Sequence, residues 1–302
     1  MDFLVTNRYE VRLPDLPALT ICGCTLCAKK GYVWAYDADD SLTIRRGCTA
    51  DTLTVYRACD TGLEHEFCST CGIGLFGTHS TVSQAGKRGI NFRVLVSDVK
   101  GVYLRGQQVV TMDSLGKTSL YPVSQRLIED VVSSSPKQTV RAALSDVPGE
   151  DLNLYTGGCE CGAVQVTFKR KPLDGIEIKE DNCSICVRHA VNPKPNFQNG
   201  FIGVYPHRSL VTLAGKDQTQ DYKFGRGFNG SPFCRICGVH CFGNLYGPPA
   251  EVVGRLPEAT QEFVRKQLEI QPINIRVLDG VEWDKIDIKW KNEGTEGYFL
   301  DD

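Results

Sequence analysis

The chain has 302 residues, of which 41% are hydrophobic and 23% charged, a length and composition suited to two packed domains. Its 34 basic and 36 acidic residues leave a formal charge of -2, which argues against a cationic nucleic-acid-binding surface. No segment reaches the ~18 consecutive apolar residues of a membrane span, and Met1 to Arg8 lacks a basic region followed by an apolar run. The expectation is a cytoplasmic protein acting on a small molecule, with neither nucleic acid nor membrane as partner.

Taken in chain order, the first feature is Cys22-Gly23-Cys24-Thr25-Leu26-Cys27, where three thiols within six residues can hold one zinc and leave a fourth position open. Ser41 to Gly47 then alternates in polarity and ends in a glycine, as a half-buried strand closed by a turn does. Phe67-Cys68-Ser69-Thr70-Cys71-Gly72 forms a Cys-x-x-Cys-Gly knuckle, followed by Phe76-Gly77 and by Ile90 to Leu95. Leu127, Ile128, Val131 and Val132 predict a short amphipathic helix before Ser133-Ser134-Ser135-Pro136. The domain boundary is expected there, with a first domain over 1–135, a linker over 136–149 and a second domain over 150–302.

Beyond the boundary the landmarks return in the same order. Cys183-Ser184-Ile185-Cys186 answers to the end of the first trio, with Asp181 in the place of Cys22. Ser209 to Gly215 matches Ser41 to Gly47, and Phe233-Cys234-Arg235-Ile236-Cys237-Gly238 matches the first knuckle. Phe242-Gly243 follows, and Ile273-Asn274-Ile275-Arg276-Val277-Leu278 mirrors Ile90 to Leu95. The second half also carries an insertion in which Leu256, Phe263, Val264 and Leu268 fall on one helical face behind Pro257. Short strands punctuated by Gly, Asp and Pro elsewhere predict a mainly β, mostly antiparallel fold with short helical additions.

Fourteen cysteines, seven in each half, suit metal ligation better than disulfides, which need an oxidising compartment and an even number per closed domain. Cys159 and Cys161 lie early in the second half, so Cys159, Cys161, Cys234 and Cys237 predict a closed tetrathiolate zinc site that stabilises the fold. The first half begins too late to contain such an opening pair. Cys68 and Cys71 therefore either borrow from Cys22, Cys24 or Cys27, or recruit Cys48, Cys59 or His65, or stay empty. Cys183 and Cys186 are a degraded copy of the trio, binding zinc through Asp181 or not at all. Cys48, Cys59 and Cys241 are expected in the core. His65, His79, His189, His207 and His240 are each read either as a general base or, as is commoner for a single histidine, as a surface or hydrogen-bonding residue, with His65 and His240 gaining a little toward the first by their place three residues from a knuckle cysteine. Lys29, Lys30 and Arg188 are expected in solvent, and Asn91 and Asn274 either line a pocket or satisfy backbone groups at strand ends.

Tyr155-Thr156-Gly157-Gly158-Cys159-Glu160-Cys161-Gly162-Ala163-Val164, Phe233-Cys234-Arg235-Ile236-Cys237-Gly238-Val239-His240 and Leu278-Asp279-Gly280-Val281 resemble the opening, knuckle and closing strand of the glutathione-dependent formaldehyde-activating enzyme family. This is the CENP-V/GFA domain, of the Mss4-like (β-tent) zinc fold. The resemblance covers nearly all of residues 150–290 and, less fully, 15–105. It implies two tandem zinc domains, a structural zinc on Cys159, Cys161, Cys234 and Cys237, and a catalytic zinc on Cys22, Cys24 and Cys27. It further implies carbon-sulfur lyase-type chemistry, the addition of glutathione to formaldehyde, or a related lyase or hydrolase step on a larger biosynthetic intermediate. The competing expectation is a non-catalytic zinc scaffold or protein-interaction module.

Overall fold

The computed structural model describes residues 6–11, 19–36, 42–58, 62–79, 86–94, 109–112, 152–181 and 201–291. The connecting helix expected around Leu127, the linker, and Cys59, Cys183, Cys186, Arg188 and His189 lie outside them, as does the side chain of Asp181. The fold is mainly β, in several small sheets with few helices. No helix among the described residues is long and apolar enough to cross a membrane.

In the first half the strands are β1 (Arg8–Glu10), β2 (Leu19–Cys22), β3 (Trp34–Ala35), β4 (Thr43–Arg46) and β5 (Leu53–Arg57). They continue with β6 (Leu63–Cys68), β7 (Gly74–His79), β8 (Arg88–Asn91) and β9 (Val109–Met112). One helix, α1 (Thr25–Lys30), follows β2. In the second half they are β10 (Asn153–Gly158), β11 (Gln165–Arg170), β12 (Ile178–Asp181), β13 (Ile202–Val204) and β14 (Val211–Ala214). After these come β15 (Thr219–Phe224), β16 (Asn229–Cys234), β17 (Asn244–Leu245), β18 (Ile273–Asn274) and β19 (Ile288–Lys291), with helices α2 (Ala250–Val253) and α3 (Glu258–Leu268) between β17 and β18.

The pairing repeats. A seven-stranded sheet runs β5-β6-β7-β8-β3-β2-β9, and the second half holds β15-β16-β17 and β18-β13-β12-β19 as separate sheets. In each half the first of these strands is parallel to the last, β2 with β9 and β12 with β19. The register agrees as well: Leu53 opposes Cys68 as Thr219 opposes Cys234, and Ala35 opposes Ile90 as Val204 opposes Ile273. The second half splits because the stretch between β17 and β18 contains both helices, leaving only the isolated bridge Phe242 to Ile273 where Phe76 pairs with Ile90 in the first half.

Matching side chains make matching bonds. Asn91 donates through Nδ2 to Gly74 O at 2.8 Å, and Asn274 donates to His240 O at 2.9 Å. Both also accept, through Oδ1, from the backbone N–H two residues on, at Arg93 and Arg276. Of the two readings of these asparagines, backbone satisfaction is the one seen. The strand expected over Ser41 to Gly47 exists as β4, but its side chains are exposed, β1 being its only strand partner among the described residues. The insertion helix is α3, capped by Pro257. Val264 and Leu268 face inward with Gln261, while Phe263, about 100° round the helix from Val264, is 60% exposed and leaves the expected face.

The main core draws on both halves, from Leu26, Trp34 and Leu63 to Val166, Phe168, Ile202 and Ile275. The two knuckles face each other across it: Phe67 and Phe233 stand edge to face at 6.3 Å. A Cβ on Gly72 would come within 2.4 Å of the Phe233 ring, and one on Gly238 within 2.9 Å of the Phe67 ring.

Candidate metal centres

The tight turn between β10 and β11 carries Cys159 and Cys161, and the turn after β16 carries Cys234 and Cys237. Their four sulfurs lie within 4.8 Å of one another, with Cys159 to Cys161 and Cys161 to Cys234 both at 3.5 Å. Tetrahedral zinc with Zn–S of ~2.3 Å places its sulfurs ~3.8 Å apart, so this donor set fits zinc. Val164 N–H donates to Cys159 Sγ at 3.2 Å. Hydrogen bonds from Cys159 and Cys161 hold Cys237 down to about 6 and draw Cys234 far below a normal thiol, while Cys159 and Cys161 themselves are pushed up. A bound cation removes that competition by stabilising every thiolate at once.

The second centre is built at the head of α1. Cys22 ends β2, and Cys24 is the N-cap, its sulfur accepting from Cys27 N–H at 3.4 Å. Cys27 sits in the first turn; coupling with Cys24 and Cys27 draws Cys22 far down, and Cys24 and Cys27 are raised in return, while the donors gathered within 4.8 Å of one another are Cys22, Cys27 and His79, without Cys24. Trp34 Nε1 donates to Cys27 Sγ at 3.4 Å. Gly77 makes room for that indole, since a Cβ there would lie 2.6 Å from it.

His79, the last residue of β7, joins this group. Its ring nitrogen lies within 4.8 Å of Cys22 Sγ and Cys27 Sγ, and the ring is only 1% exposed. The expectation of a surface or hydrogen-bonding histidine is met in its second part and corrected in its first: Nδ1 lies 2.8 Å from Tyr36 Oη, but the ring is buried edge-on to Trp34, whose indole also lies against Gly77. Nothing in Gly74 to His79 marks this position locally; the sheet keeps β8 and β3 between β7 and β2, and its path in space brings His79 to Cys22.

Lys30 is the second correction. It is 3% exposed, and its Nζ donates to Gly72 O at 2.7 Å and Gly238 O at 2.6 Å, so one ammonium joins both knuckles. Burial lowers it to about 8, with the thiols of Cys237 and Cys71 working against that. Lys29 is partly buried, 3.4 Å from Glu160 in the Cys159 turn, and Thr25 donates to the same carboxylate. Helix α1 thus lies between the two centres and touches both.

Cys68 and Cys71 join neither group: among the described residues they gather no third donor of the His, Cys, Asp or Glu type. Cys68 is held down to about 5 by Cys71 and is also hydrogen-bonded by Asn7. His65 does not complete the knuckle: it is not gathered with Cys68 and Cys71 within ligand distance, and its Nδ1 is 2.7 Å from Tyr32 Oη. His240 Nδ1 faces Pro232 O and Ser231 Oγ. Cys241 is in the core as expected, and Cys48 is half-buried. Every described cysteine is a free thiol.

Fold and sites define a mainly β protein with two buried soft-donor clusters of metal-ligand type. Residues 154–260 match the family model of the glutathione-dependent formaldehyde-activating enzyme (GFA). The matched segment contains all of Cys159, Cys161, Cys234 and Cys237 and none of the trio. A Rhodobacter sphaeroides protein of known crystal structure is similar at 23% identity, over 45% of this chain and 99% of that one, with a TM-score of 0.32.

Proposed function

We propose that this chain is a zinc-dependent carbon-sulfur lyase-type enzyme of small-molecule metabolism, built from two copies of one unit (1–135 and 150–302) joined by a linker. The observation that carries the reading is the meeting of Cys22, Cys24 and Cys27 at the head of α1, beside a second half that matches the formaldehyde-activating family. The repeated strand pairing and register support the two-copy reading. Zinc held by thiolates supplies a place where a thiol is bound as its thiolate.

The chain's own residues then have separate tasks. Cys159, Cys161, Cys234 and Cys237 close one metal site and tie β10 and β11 to β16. Cys22, Cys24 and Cys27 hold the second metal, and Trp34 fixes Cys27. Glutathione and formaldehyde are the proposed substrate pair, and the cytoplasm, where thiols stay reduced, the proposed location. A small molecule rather than nucleic acid or membrane is the proposed partner. Cys183 and Cys186 are proposed as the degraded counterpart of the trio.

The scaffold reading is favoured by one observation: Cys22, Cys24, Cys27 and His79 are all within 1–3% exposed. Glutathione binding by calorimetry, with zinc content, in wild type and the Cys22→Ser, Cys24→Ser, Cys27→Ser variant separates the two. Loss of one zinc together with glutathione binding, and of S-hydroxymethylglutathione formation followed by NMR, is expected. A wild type that binds two zinc ions and no glutathione would leave the scaffold.

A further inference from the structure

We propose that His79 is the fourth metal ligand of the Cys22, Cys24 and Cys27 site, making it a Cys3His centre. Four observations lead there. The ring nitrogen stands within 4.8 Å of two of the sulfurs, those of Cys22 and Cys27. Nδ1 is engaged at 2.8 Å with Tyr36 Oη, while Nε2, equally buried, has no hydrogen-bond partner among the described residues. A buried ring nitrogen without a partner is costly, and a ligand position resolves that cost.

The third observation is the support of the ring. Tyr36 Oη stands 2.8 Å from Nδ1, where it would accept the N–H of a ring ligating through Nε2, and Trp34 stands edge-on at 6.0 Å between centroids. An imidazole held at one nitrogen by a fixed acceptor, with the other turned toward thiolates, is the outer-shell arrangement of a ligating histidine. The fourth is the other half. Aligning Phe76-Gly77 with Phe242-Gly243 puts Leu245 opposite His79, and that half also has Asp181 in place of Cys22. The half that lacks the first thiol lacks the imidazole too.

The inference rests on the zinc reading above and changes its consequence: four protein donors fill the shell, so a thiol co-substrate enters by taking the place of His79. It is tested on the full chain loaded with cobalt(II), with the triple cysteine variant subtracted as the contribution of the tetrathiolate site. Wild type is expected to show a tetrahedral cobalt spectrum with three thiolates and one nitrogen. His79→Cys adds a fourth thiolate, strengthening the sulfur-to-cobalt charge-transfer band and moving the ligand-field bands to longer wavelength.

His79→Ala lowers the affinity of this site at least by the ~10–100-fold that loss of an outer-shell partner costs, with the other site unchanged. If His79→Ala does not fold, His79→Cys, which restores a donor, is read alone. Equal affinity and spectrum in wild type and His79→Ala, or no added charge-transfer intensity in His79→Cys, overturns the proposal. Glutathione added to wild type and His79→Ala keeps the two readings apart: no spectral response in either removes the thiol-binding function and leaves the ligand assignment standing.

Discussion

In the turn of residues 68–72, Gly72 N–H donates to Cys68 O at 2.8 Å and Ser69 N–H to Thr52 O at 3.0 Å; in the turn of residues 234–238, Gly238 N–H donates to Cys234 O and Arg235 N–H to Gln218 O at the same distances. Their surroundings differ. Cys234 and Cys237 meet two further thiols, whereas Cys68 meets the amide of Asn7. A Cys-x-x-Cys-Gly turn therefore keeps its shape through its own backbone bonds and its glycine at φ near +70°, and the metal donors are a separate property supplied by whatever strand lies opposite. The trio divides the halves the other way, with Cys22 and His79 in the first where the second has Asp181 and Leu245. The second half gathers four thiols, and the first gathers Cys22, Cys27 and His79 within 4.8 Å of one another.

The sharpest way to break this comparison is paired substitution of the knuckles. Cys234→Ser with Cys237→Ser is expected to remove one zinc and unfold the second half, since structural zinc contributes on the order of 10 kcal/mol to folding in small zinc domains. Cys68→Ser with Cys71→Ser is expected to leave zinc content unchanged and cost about 1 kcal/mol. Zinc analysis with circular dichroism on both reads the outcome, and zinc loss from the Cys68, Cys71 variant would show that the first knuckle is a metal site after all.

The glycines come next. Gly72→Ala meets both a left-handed backbone, ~1–2 kcal/mol, and the Phe233 ring, ~1–3 kcal/mol of overpacking. Gly238→Ala meets the Phe67 ring at a longer distance and should lose less. Urea unfolding that ranks them in reverse would mean that the knuckle-to-knuckle contact is looser than described.

Lys30→Met keeps the stem and removes the ammonium shared by Gly72 O and Gly238 O. Two buried carbonyls left without a donor are expected to cost about 2–4 kcal/mol, by the same unfolding measurement, and an unchanged midpoint would deny Lys30 its bridging part.

The smallest effect concerns His65. Burial, reinforced by Lys30, lowers its pKa from 6.5 to about 3, so between those values the unfolded chain binds the proton and the folded one does not. Its neutral burial is stabilising above pH 6.5, and that contribution falls as pH drops toward 3, by up to ~1.4 kcal/mol per unit. His65→Gln should flatten this slope relative to wild type in unfolding measured from pH 7 to pH 5.5, and parallel curves would place the acid sensitivity elsewhere.

The order of cysteine groups and the mainly β class follow from the sequence, because ligand spacing, strand alternation and turn residues are local signals. The closed group of Cys159, Cys161, Cys234 and Cys237 was legible for the same reason: its two pairs are each short motifs, and only their meeting is long-range. His79 and Lys30 were not legible. One is a histidine at the end of a strand and the other a lysine at the end of a short helix, and local sequence gives the first a surface or hydrogen-bonding role and the second a place in solvent. Only the tertiary structure decided their parts, because the path of a sheet with β8 and β3 between β7 and β2 brings His79 within 4.8 Å of Cys22, and the facing of two knuckles encloses an ammonium between two carbonyls.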